Sequence, residues 1–177
     1  MPSNASTKRI RPFLAGGDRR SIAESDRVRD LVEQEPDLVA ALAALTEDED
    51  WLVSQRAFDL LEKMAHEHPD WVEPYKAVFL GPAADSDKWE IRLQIVRALP
   101  LFRWTSRDRA RATGILVENV SYPQTFVRAW ALDSLATFAQ TDSRLIPAVH
   151  QHLAEFERSG SKALQARARK IRERLKS

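Results

Sequence analysis

One stripe of apolar residues returns four times along this chain, and that repetition restricts its folding more than any other feature. Val53, Ala57, Leu60, Leu61 and Met64 occupy positions i, i+4, i+7, i+8 and i+11, which lie on one side of an α-helix. The same spacing recurs at Ile91, Ile95, Ala98, Leu99 and Phe102, then at Val127, Ala131, Ser134, Leu135 and Phe138. A fourth copy reads Leu164, Ala168, Ile171, Arg172 and Leu175, and the successive offsets are 38, 36 and 37 residues. Two copies carry a polar residue in the stripe, Ser134 in the third and Arg172 in the fourth. A helix pair of this size cannot bury its own apolar side, so such repeats must cover one another.

The segments between these helices read as their partners. Glu35-Pro36-Asp37-Leu38-Val39 is echoed by His68-Pro69-Asp70-Trp71-Val72, each opening a helix after a Pro-Asp step. Asp70 is the expected N-cap, with Pro74 in the first turn, where a missing N–H costs little. Ser143 and Pro147 repeat that spacing. The predicted map has a leading helix over 21–35. Pairs follow at 37–46 with 50–66, 70–80 with 87–102, 106–120 with 124–139, and 143–158 with 161–176. Pro100 falls inside a second helix and predicts a kink or early end. No stretch alternates with period two, so no sheet is expected. The expected fold is all-α, a right-handed α-solenoid of about four helix pairs behind a leading helix. Residues 1–20 are expected to be a flexible basic tail and 21–177 a single repeat domain.

The stretches Asp87-Lys88-Trp89-Glu90-Ile91-Arg92 and Phe126-Val127-Arg128-Ala129-Trp130-Ala131 resemble the second helix of HEAT repeats, with its hydrophobic-Arg step followed by Ala and Leu. Ser54 and Gln165 stand where that pattern has Arg. The resemblance covers about residues 36–177 and extends to small bacterial HEAT-repeat proteins without an assigned role. It implies a non-enzymatic protein-interaction scaffold, with the second helices lining a concave face. A HEAT-like family of bacterial alkylpurine DNA glycosylases, which use Trp and Asp in a basic groove, supplies the alternative of a nucleic-acid binder. Their catalytic residues match no specific positions in this chain.

Cysteine is absent, which excludes disulfides, thiolate metal sites and cysteine nucleophiles. No apolar run approaches the roughly 18 residues of a membrane span. The first residues are basic without a signal-peptide core, so a cytoplasmic protein is expected. Net charge is only +1, but it is unevenly spread. Residues 1–29 carry +4, 30–90 carry −12, 91–158 carry +3 and 159–177 carry +6. A protein or peptide of matching polarity is the expected partner, nucleic acid the alternative, and the chain a monomer or a weak head-to-tail associate.

No Ser-His-Asp trio or nucleotide loop is present, and neither a catalytic residue nor a cofactor is expected. His66-Glu67-His68 and His150-Gln151-His152 place histidines two apart, about 200° around a helix, so no metal site is expected. Five tryptophans are many for this length, and wedging between helix pairs is their expected role. Arg92 and Arg128 occupy equivalent positions and are expected to form an ion-pair ladder with acids such as Asp50 and Asp87. Candidate binding residues on the second helices are Arg56, Arg97 and Arg128, joined by Arg167, Arg169 and Arg172 at the basic end. Arg19, Arg20 and Ser21 follow Gly16-Gly17 and form a weak candidate anion site at the start of the leading helix.

Overall fold

The computed structural model describes residues 4–176. Among them are ten α-helices and no strand. They are α1 (Asn4–Leu14), α2 (Ser25–Gln34), α3 (Val39–Leu45), α4 (Trp51–Glu67), α5 (Pro69–Val72), α6 (Trp89–Ala98), α7 (Ser106–Val120), α8 (Thr125–Ala139), α9 (Ile146–Arg158) and α10 (Lys162–Lys176). None is long and apolar enough to cross a membrane. The helices gather into two compact units, one ending at Ala83 and the other beginning at Ala84.

In the first unit α4 is the best defined element. Asp50 caps it, accepting from the Leu52 amide at 2.9 Å. Its stripe residues Val53, Ala57, Leu60, Leu61 and Met64 are buried, and Pro69 follows directly on its C-cap His68. The expected flexible tail is instead helix α1, packed on α2, α3 and α4. Ile10 and Leu14, one turn apart, are fully buried. Arg9 grips Glu35 at 2.7 and 2.8 Å, and Arg11 grips Asp48 at the same two distances. Two apolar anchors and two forked ion pairs hold a segment whose composition alone reads as solvated.

The expected helix over 70–80 is α-helical for one turn only. It starts at Pro69, so Asp70 lies within the first turn rather than capping it. Residues Glu73–Leu80 then wind as a 3-10 helix. Pro74 removes an amide that an α-helix would need there, and the tighter winding follows.

In the second unit α8 lies between α6 and α10 in one layer, while α7 and α9 pack on these helices from the other side. Helix α6 ends at Ala98 and continues as a 3-10 turn over Leu99–Leu101, the early end that Pro100 predicts. The two polar interruptions of the stripe have different explanations. Ser134 is buried and donates to the Val96 carbonyl at 2.6 Å, joining α8 to α6. Arg172 is half-exposed and pairs with Glu157 of α9, leaving Leu164, Ala168 and Ile171 to bury α10.

Candidate interaction surface

The residue that follows the first stripe position does the same work in all four copies. Ser54 Oγ donates to the Thr46 carbonyl at 2.7 Å, and Arg92 Nε donates to that of Ser86. Arg128 Nε donates to the Val120 carbonyl at 3.1 Å, and Gln165 Nε2 to that of Ser159 at 2.6 Å. Each acceptor ends or follows the preceding helical segment, where carbonyls lack a helical partner. Ser54 and Gln165, which depart from the HEAT pattern in sequence, therefore make the same kind of hydrogen bond as Arg92 and Arg128. The expected ladder with Asp50 and Asp87 does not form: Asp50 caps α4, and Asp87 pairs with Lys88. Arg92 reaches Glu118 and Asn119 at 3.2 Å instead.

Arg56 is not an exposed binding residue. It is 2% exposed and sits inside the loop between α1 and α2. Its Nη1 donates to the carbonyls of Leu14 at 2.6 Å and Gly16 at 2.7 Å, and its Nη2 to those of Ser21 at 2.8 Å and Asp18 at 3.1 Å. Burial pushes its pKa below the ordinary value, and Asp50 and Asp18 oppose that shift. The loop can close this tightly because Gly16 and Gly17 adopt φ of +80° and +70°. A Cβ on Gly17 would lie 3.0 Å from the Ser21 side chain. The anion site expected at Arg19, Arg20 and Ser21 is thus reversed in polarity. Carbonyls converge here on a cation, the Ser21 amide is bonded to Asp18, and α2 begins only at Ser25.

The remaining candidates lie in the second unit, and two of them, Arg97 and Arg167, meet the same side of the α6–α8–α10 layer. The guanidinium of Arg97 lies 5.0 Å from the Trp130 ring centroid and that of Arg167 lies 3.9 Å from it. One turn along α8, Asp133 receives Arg167 through one oxygen and Arg174 through the other, each at 2.7 Å. Asp133 is 8% exposed, and two guanidiniums compensate its burial. Beside them Trp89 and Phe126 stack at 6.4 Å, with Phe126 57% exposed. Sequence reasoning passed over Trp130, Asp133 and Arg174 as parts of one site. The available signal was an acid inside the apolar run Ala131-Leu132-Asp133-Ser134-Leu135.

Other candidates stand apart. Arg128 packs over Phe156 with its Nε on the Val120 carbonyl, and Arg169 is exposed. Trp104, Arg109 and Arg144 border an open cleft, but Arg109 donates to the Phe138 carbonyl and Thr141, and Arg144 is held by Asp142. In the first unit His68 stacks on Trp71 at 3.8 Å and pairs with Glu33. One ligand atom each from Glu33, Glu67 and His68 lies within 4.8 Å of the others, with Arg29 bound to Glu67.

No family model matches the sequence, and no curated protein resembles it closely enough to match. Solved structures do match. An archaeal HEAT-like repeats protein from Thermococcus onnurineus NA1 aligns over 92% of this chain and 62% of its own, with 16% identity and a TM-score of 0.60. The fold is a HEAT-like α-solenoid. Designed armadillo repeat proteins share its helical-repeat architecture. One, solved with the peptide (KR)4, aligns over 94% of this chain and 72% of its own, with 14% identity and a TM-score of 0.64. Another aligns over 96% and 86%, with 15% identity and a TM-score of 0.61. At these identities the likeness concerns the HEAT-like fold and not the activity.

Proposed function

We propose that this HEAT-like protein is an interaction module that holds an extended polypeptide segment on the open side of α6, α8 and α10. The observation that carries the reading is the cluster around Trp130. Half-exposed aromatic rings and oriented guanidiniums from three adjacent helices share one side of the layer, the composition favoured at the centres of protein interfaces. The designed armadillo protein solved with (KR)4 supports a peptide as the kind of partner. Site-specific photo-crosslinking tests the reading. A crosslinker at Phe126 should capture polypeptide after nuclease treatment, whereas one at exposed Val117 on α7 should not. Equal capture from both positions would remove the proposed surface.

The same cluster favours a second reading, nucleic-acid binding. Basic groups beside exposed aromatics suit single strands, because a base can stack where the backbone is neutralised. Charge opposes it over the whole chain. The unit ending at Ala83 has ten Lys/Arg against sixteen Asp/Glu, net −6, and the unit beginning at Ala84 has seventeen against ten, net +7. A salt-sensitive mobility shift with DNA that survives protease-free purification would establish this second reading.

A further inference from the structure

We propose that the segment bound at this surface is acidic, with carboxylates read by Arg97, Arg167 and Arg174 and an apolar side chain resting on Trp89 and Phe126. The inference rests on the interaction reading above and names its partner's chemistry. Around Trp130 the guanidiniums of Arg97, Arg167 and Arg174 bring three positive charges against the carboxylate of Asp133. That excess would repel a basic peptide such as the one bound by the designed armadillo protein.

The arginines are also prepared for planar anions. Arg97 and Arg167 are both drawn to the Trp130 ring, and Asp133 anchors Arg167 and Arg174 from below. Arg174 also donates through Nη2 to the Asp133 backbone carbonyl at 3.0 Å, which fixes the plane of its rigid fork. Holding it in place beforehand reduces the ordering cost of binding. Lys170, exposed on α10, adds to the local field.

A polypeptide fits this field better than a nucleic acid. At physiological salt, charges are screened beyond about 8 Å, so a short acidic segment responds to the local arginines. The chain as a whole carries only +1, so a long polyanion gains little beyond those same arginines.

The test is fluorescence anisotropy with the full chain and four short labelled probes. Three are peptides of equal length containing one Phe, built on Glu, on Ser or on Lys, and the fourth is single-stranded DNA. The Glu peptide should bind at least about tenfold tighter than the Ser peptide and weaken as salt is raised. The double variant Arg97→Gln/Lys170→Gln should lose about tenfold of that affinity with an unchanged far-UV spectrum. Phe126→Ser should weaken the Glu and Ser peptides equally. Equal affinity for all three peptides, preference for the Lys peptide, or a Glu complex indifferent to these variants would overturn the acidic assignment. Tighter binding of DNA would also overturn it and favour the nucleic-acid reading. Crosslinking at Phe126 decides the interaction reading independently, since it needs no assumption about charge.

Discussion

The Ser134 hydroxyl on α8 donates to the Val96 carbonyl on α6 across 2.6 Å, and that carbonyl is the one Pro100 leaves unserved. In a continuous α-helix Val96 would accept from the amide four residues on, but Pro100 has none. Leu99 donates to Ile95 rather than to Val96. Two departures from the repeat, a proline in the second copy and a serine in the third, therefore answer each other in space. Ser134→Ala should destabilise the protein by about 1–3 kcal/mol, since it leaves a buried carbonyl unpaired. With Pro100→Ala present, the same substitution should cost less, because an amide becomes available. Urea melts of the double-mutant cycle would measure the coupling, and strict additivity would refute it.

The four equivalent donors make a second prediction. Because Gln165 performs the task that Arg128 performs, Arg128→Gln should be nearly neutral while Arg128→Ala loses about 1 kcal/mol. Gln165→Ala should lose a similar amount. Thermal unfolding of the three variants would check this, and equal losses for Arg128→Gln and Arg128→Ala would argue against a shared role.

Arg56 organises the loop between α1 and α2 through the carbonyls of four residues. Arg56→Ala should destabilise the protein by roughly 3 kcal/mol through unpaired backbone groups. Limited proteolysis should then open the chain between residues 15 and 24. Gly17→Ala should produce a milder form of the same defect, because φ is +70° and Ser21 blocks a Cβ. Proteolysis that begins elsewhere would assign Arg56 a different role.

Acid should loosen α1 first. The Asp48 carboxyl is held below the usual carboxylate range mainly by hydrogen bonds from Arg11, against the cost of its burial. A carboxylate whose folded pKa is depressed contributes stability above its unfolded value, near 3.9, and loses it as pH falls through the folded value. Stability should therefore drop from about pH 4 downward, with α1 amides exchanging earliest. Asp48→Asn should be less stable at neutral pH and lack that part of the acid limb. Hydrogen exchange at several pH values would show it, and unchanged α1 protection in the variant would exclude the mechanism.

Periodicity alone was enough to determine the helical repeat. Five apolar positions recur at nearly constant spacing, and a stripe of that kind has one physical solution, burial against other helices. Pro100 likewise announced the end of α6, because the missing amide is a local property. Tertiary structure decided which polar residues serve the fold and which face outward. Arg56 and Arg97 look alike in sequence, yet one is enclosed by loop carbonyls and the other lies beside Trp130. Asp133 reads as a solvated acid until α10 brings Arg167 and Arg174, 34 and 41 residues away, to its two oxygens. Helix α1 escaped notice because its anchors, Glu35 and Asp48, belong to segments that meet it only after folding. Burial patterns repeat with the helix turn and can be read along a chain. Charge partners are chosen across space, and the fold must exist before they do.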